Sequence, residues 1–214
     1  SNTSGTPDRV VAAAADLHLA AGRLAAWLGG PVRIVEIAAD GGRLTLGSPD
    51  RAATSFDVPG AALVPADPTE RRRRCDGVLA LLGRTDRSTV ADLLGDLADA
   101  PLRDRDDERD QLRAAATADA LRRLAELLAD EDLGDLDVEG APLLIVGAAA
   151  SLIATGTLPL GVVAPLIPPG RTRILLEPYG IFAALGVAAL DDRWVDAALA
   201  TLAGDLLLSG GDLV

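Results

Sequence analysis

The chain has no lysine and no methionine, and only one histidine and one cysteine among its 214 residues. Without lysine there can be no Walker-type phosphate loop, no Schiff-base nucleophile and no lysine general base. A lone histidine, His18, excludes a multi-histidine metal centre and leaves one candidate for a Ser-His-acid triad. It lies beside Leu17 and Leu19 in a helical pattern, so a structural role is expected. The lone Cys75 permits no internal disulfide, which agrees with a reducing compartment. Four arginines precede it and could lower its thiol pKa, yet without a second cysteine a helix-packing role is expected. Aromatics make up 2% of the chain against 49% hydrophobic residues, so Ala, Leu, Val and Ile must fill the core. All 20 basic residues are arginine, and a net charge of −12 excludes nucleic acid, whose phosphates demand a dense basic face. The opening SNTSGTPDR has neither a basic segment nor an apolar run, so no signal peptide is expected and the cytoplasm is the expected location.

What the chain does have is a long uncharged stretch, and Ala141–Leu190 is the part around which the rest is organised. Ala141–Gly170 holds 30 residues without a charge. A bilayer-crossing helix needs about 20 apolar residues. Pro142, Pro159, Pro165, Pro168 and Pro169 interrupt this run, so no membrane span is expected. Leu143–Val146 and Ile174–Leu176 are short apolar runs bounded by Gly and Pro, the pattern of strands buried on both faces of a parallel sheet. The segment between them is long enough for a crossover helix.

In chain order, Thr6-Pro7 opens a helix with apolar residues at Val10, Ala14, Leu17, Ala21, Leu24 and Leu28, closed by Gly29-Gly30-Pro31. Val32–Ile37 and Leu44–Leu46 flank Ala39-Asp40-Gly41-Gly42 and predict a hairpin, with Thr54–Val58 a third strand. Asp67-Pro68-Thr69-Glu70 predicts a helix start in which Glu70 reaches back to the cap, and Ser88-Thr89 a second start. A charged helix follows from about Asp107 to Leu128, with Leu112, Ala116, Leu121, Leu124 and Leu128 facing inward. Asp191–Leu202 predicts a last helix, and Leu206–Leu208 and Leu213-Val214 predict terminal strands. These elements predict one α/β domain over residues 1–214: an N-terminal helix and hairpin (1–66), an acidic helical insertion (67–139) and an α/β core (140–214).

Two charged runs need weighing. Asp86–Glu139 holds 17 acidic residues against 7 arginines. Asp130, Asp132, Asp135, Asp137 and Glu139 could approach a metal, but a calcium loop requires Gly at its sixth place and an acid at its twelfth. Counted from Asp130 these hold Asp135 and Ala141, so a solvated acidic face is expected and no metal. Arg71–Arg74 point in different directions on a helix and predict a surface run partly neutralised by Glu70 and Asp76. The glycine-bearing turns Gly147-Ala148-Ala149-Ala150-Ser151 and Asp40-Gly41-Gly42 admit two readings, anion or nucleoside cradle and plain close packing, and packing is the simpler.

The order strand, Gly-small-small turn, helix, strand, Glu177-Pro178 and Ala183–Leu190 resembles the last part of an actin/sugar-kinase-like ATPase domain. FDVPGAALVPAD (Phe56–Asp67), the helix ending at Leu128, PLLIVGAAASL (Pro142–Leu152) and GDLLLSGGDLV (Gly204–Val214) resemble, more narrowly, glutamate mutase accessory proteins of the L type. The resemblance implies a mixed sheet flanked by helices, a ribonuclease H-like half of an actin-type ATPase. It also implies a nucleotide or ligand site at Gly147, Ala148, Ser151, Asp40, Gly41, Gly42 and Gly186, with ATP and magnesium as cofactors if the site works. Departures weigh against that. The family's phosphate hairpin, Asp-x-Gly-Gly-x-Thr-Thr, has as its nearest counterpart Asp40-Gly41-Gly42-Arg43-Leu44-Thr45, which lacks the hydroxyl pair, and the adenosine loop's second glycine is Ala148. The chain therefore resembles a terminal or degenerate module, expected to be non-catalytic, to need no cofactor and to work through protein contacts. The partner so implied is a cobalamin-dependent mutase or a larger chain of which this is part, and a homodimer is also open to it.

Overall fold

A computed structural model describes residues 7–83, 86–99, 107–129, 131, 133, 140–167, 171–178, 182 and 212–213. Helix α1 (Pro7–Leu28) leads into strands β1 (Val32–Ile37), β2 (Gly42–Gly47) and β3 (Thr54–Val58). Helices α2 (Pro68–Leu82), α3 (Arg87–Asp99) and α4 (Asp107–Leu128) follow. The chain then returns to the sheet through β4 (Leu143–Val146), α5 (Gly147–Ala154), β5 (Thr172–Glu177) and the two-residue β6 (Asp212–Leu213).

The sheet order is β3-β2-β1-β4-β5, extended by β6. β1 and β2 pair antiparallel, as do β2 and β3, whereas β4 runs parallel to both β1 and β5. β2 is thus the one reversed strand of the five, and the sheet flanked by helices is mixed, as the sequence predicts. The two apolar runs of the central stretch lie side by side, with Leu143 opposite Ile174 and Leu144 opposite Leu175. All four residues of β4 are buried, as a strand covered on both faces requires.

Alternation divides the strand side chains between two cores. Ile34, Leu144, Val146 and Leu175 pack under α1 against Leu17, Ala21 and Leu24. Val35, Leu143, Ile145 and Ile174 pack on the opposite face with Leu121 and Leu124 of α4 and Ala149 and Ala150 of α5. A third cluster joins Cys75 and Val78 of α2, Val90 and Leu94 of α3, and Leu112 and Ala116 of α4. Helix α4 therefore serves the sheet with one part of its length and the α2–α3 pair with another.

Most element boundaries follow the expected signals. α1 ends in a Schellman closure, Gly30 N–H donating to the Ala25 carbonyl at 3.0 Å and Gly29 N–H to that of Ala26 at 3.3 Å. Two caps differ from expectation. Asp67 does cap α2, accepting the N–H groups of Thr69 and Glu70 at 3.2 Å each. Glu70 does not complete the box: its carboxylate lies 3.6 Å from Arg73 and 3.7 Å from Arg123. Asp86, rather than Ser88, caps α3, accepting the Ser88 N–H at 3.1 Å and the Thr89 hydroxyl at 2.6 Å. These bonds hold its carboxyl down to about 2, the Thr89 hydroxyl contributing most. The last helix expected at Asp191–Leu202 and the strand at Leu206–Leu208 lie outside the described residues. Among the described residues no helix is long and apolar enough to cross a membrane.

Candidate functional site at the carboxyl ends of the parallel strands

Open α/β sheets bind ligands beyond the carboxyl ends of their parallel strands, where turns rather than paired backbone face outward. Here that end collects the β1–β2 hairpin, the β4–α5 turn and the end of β5, because Glu36, Val146 and Glu177 stand level on adjacent strands. The same level continues outward through Arg43 of β2 and Asp57 of β3. One lateral row, Asp57–Arg43–Glu36–Val146–Glu177, thus crosses five strands on the α1 face.

Arg43 is the cation of this row and is already engaged. Its Nε donates to Asp57 Oδ1 at 2.5 Å, and its Nη1 lies 3.5 Å from Glu36 Oε2. Burial pushes the Glu36 carboxyl above the usual range, Arg43 draws it back, and Asp40 and Asp57 add to the rise. Glu177 is buried at the end of β5, where its Oε2 accepts the Phe182 N–H at 3.4 Å. The end of the sheet is therefore rich in carboxylates, with its nearest guanidinium neutralised.

The hairpin glycines are committed to packing. A Cβ on Gly42 would stand 2.9 Å from Ala61 Cβ and 3.2 Å from Leu124 Cδ1. One on Gly41 would stand 3.1 Å from the Val58 carbonyl oxygen. At the turn itself Ala38 N–H donates to the Gly41 carbonyl at 2.8 Å, and the Ala38 carbonyl accepts from Leu63 at 2.9 Å. The β1–β2 turn is pressed against the segment that follows β3.

The β4–α5 turn differs. Gly147 has φ +70, the left-handed region that favours glycine, and a Cβ there would meet nothing within 4 Å. No side chain caps α5, whose first residues follow Val146 directly out of the strand. Ala148 is exposed while Ala149 and Ala150 are buried, so the turn presents Gly147 and Ala148 outward and packs with the next two. Ser151, one turn on, accepts the Thr155 N–H on its carbonyl at 3.0 Å and so helps close the helix. The fold thus brings Asp40, Gly41, Gly42, Gly147 and Ala148 to one end of neighbouring strands. Gly186 lies outside the described residues.

Elsewhere, one sequence expectation is overturned. Arg74, expected on the surface, is 2% exposed, and its Nε donates to Asp119 Oδ2 at 2.7 Å. It also donates to the carbonyl of Ala62. Asp119 accepts further bonds from Arg122 at 2.7 Å and Arg123 at 3.3 Å. A surface reading failed because α2 is sandwiched, and one position of a polar run had to face α4. Cys75 is buried in the small core with its thiol pushed up by that burial, a packing cysteine as expected. Among the described residues no three His, Cys, Asp or Glu side chains are placed to hold a metal ion. Of the acidic run expected to be solvated, residues 130, 132 and 134–139 lie outside the described part. The lateral row was missed because cross-strand neighbours are distant in sequence. An acid inside VRIVEI and another closing TRILLE were the available signals.

No protein family model matches this sequence, and no curated protein matches it either. Solved structures do. The ethanolamine utilization protein EutJ from Carboxydothermus hydrogenoformans is similar at 13% identity and a TM-score of 0.40, over 82% of this chain. The component A of (R)-2-hydroxyglutaryl-CoA dehydratase from Acidaminococcus fermentans is similar at 11% identity and a TM-score of 0.40, over 85% of this chain. The chain spans about half the length of the first (53%) and 69% of the second.

Proposed function

We propose that this chain is a non-catalytic, actin-type ATPase-related module that acts through protein contacts, in interaction or regulation. One observation carries the reading. The hairpin where such a fold would grip phosphates has its glycines packed against Ala61, Leu124 and the Val58 carbonyl, and is surrounded by Asp40, Glu36 and Asp57. Polyphosphate binding needs open amides and unspent positive charge. This end offers carboxylates, and its Arg43 is taken up by two of them. The family resemblance extends the proposal to a partner, a cobalamin-dependent mutase or a larger chain containing this one, in the cytoplasm.

A second reading is favoured by the β4–α5 turn alone. Gly147 in the left-handed region, open space beside it and an uncapped helix start are what a nucleoside or other small molecule would use. On that reading the chain is a nucleotide-binding ATPase, or a small-molecule binder, whose phosphate loop comes from another segment. Thermal denaturation with ATP or ADP and magnesium separates the two. The module reading expects the midpoint to stay where it is at millimolar nucleotide. A rise that grows with nucleotide concentration, as binding to the folded state requires, would overturn it.

A further inference from the structure

The open edge of the sheet carries an inference independent of the nucleotide question. β3 is the last strand on its side, and among the described elements only β2 pairs with it. Its backbone polarity can be worked out. Arg33 N–H donates to the Pro142 carbonyl, beside β4, while Ala38 N–H donates to Gly41 across the hairpin. Alternation along β1 then turns Ile34 and Glu36 toward β2, where they meet Thr45 and Arg43. Gly42, Leu44 and Leu46 must therefore turn toward β3, and bond Val58, Phe56 and Thr54. What remains outward on β3 is the N–H and C=O of Ser55 and Asp57.

Edge strands are usually guarded by lysine, proline or a bulge. β3 reads TSFDV, with none of these inside it. Its one charge, Asp57, is already held by its own Arg43 at 2.5 Å. The strand is also complementary to itself. Laid antiparallel on a second copy about Phe56, Ser55 faces Asp57 of the second copy and Asp57 faces its Ser55, so both outward residues find partners. Phe56 meets Phe56 in the close, non-hydrogen-bonded kind of pair, on the face where Phe56 already leans on the core. No two carboxylates stand directly opposite. Pairing stops where Pro59, which has no N–H, would be the next donor.

We propose that β3 is a homodimerisation edge, on which a second copy of this chain continues the sheet through antiparallel β3–β3 pairing. Analytical ultracentrifugation of the full chain, from micromolar to near-millimolar concentration, tests it with three substitutions at one outward residue. The wild-type mass should climb from monomer toward dimer with concentration. Ser55→Pro removes an outward backbone donor and no backbone bond to β2. The side-chain bond of Ser55 to Thr45, 2.7 Å long, is lost in all three variants alike, so the added loss in Ser55→Pro should weaken association by about tenfold or more. Ser55→Asp sets a carboxylate opposite Asp57 of the second copy and should also weaken it. Ser55→Lys sets a cation there and should hold association at or above the wild-type level. General damage to the fold would not separate Lys from Asp. A chain that stays monomeric throughout overturns the proposal, as does one that pairs along this edge only with unrelated peptides. A dimer indifferent to all three substitutions overturns it too.

Discussion

Arg74 and Asp119 stand 45 residues apart and meet at 2.7 Å with almost no solvent contact. Removing one member of such a pair leaves the other charge buried, at a cost of about 3–5 kcal/mol. Arg74→Met and Asp119→Asn are each expected to lower stability by that order in urea denaturation. Asp119 also makes stability depend on pH. Burial by itself pushes its carboxyl up, but the bonds from Arg122 and Arg74 outweigh burial and hold it below the usual range. A carboxyl lowered by folding stabilises the native state above its unfolded value, about pH 4. It loses that contribution as pH falls through the folded value. The gap in stability between wild type and Asp119→Asn should therefore be widest near neutrality and narrow below about pH 4. A gap that stayed constant with pH would refute this account of the carboxyl.

At the scale of elements, the two glycine turns at the carboxyl ends of β1 and β4 serve different ends. Gly42 is a glycine of space: Ala61 and Leu124 leave no room for a methyl group. Gly147 is a glycine of conformation, with φ +70 and an open surrounding. Gly42→Ala should lower stability by about 1–3 kcal/mol through overpacking, whereas Gly147→Ala should cost about 1–2 kcal/mol from the left-handed backbone alone. Replacing Leu124 by Ala beside Gly42→Ala tells them apart. The smaller neighbour should recover part of the Gly42→Ala loss and none of the Gly147→Ala loss, read as a double-mutant cycle in denaturant. In sequence the two turns look alike, a glycine after an apolar strand. Nothing local reveals which of them faces a helix.

At the scale of the molecule, the sheet and its covering helices hold two of the three cores, while α2 and α3 share the third with part of α4. The small cluster touches the sheet side chiefly through Leu63 and the Arg74 bond to Ala62. Regions with fewer buried links to the rest open at lower free energy. Amides of α2 and α3 are accordingly expected to exchange hydrogen before those of β1 and β4 in native-state exchange, and Asp119→Asn should widen the difference. Exchange of all four elements at one common rate would show a single cooperative unit instead.

Strands β1 to β5, the hairpin and the parallel pairing of Leu143–Val146 with Ile174–Leu176 were legible in the sequence, because period, turn residues and apolar runs are local properties of a chain. So were the ends of α1 and α2, where Gly29-Gly30-Pro31 and Asp67-Pro68 act within a few residues. The charged row from Asp57 to Glu177, the burial of Arg74 and the fate of Gly42 were settled only by the assembled structure. Each depends on groups from different strands or helices, and their electrostatics and contact distances arise when the sheet stacks those elements together.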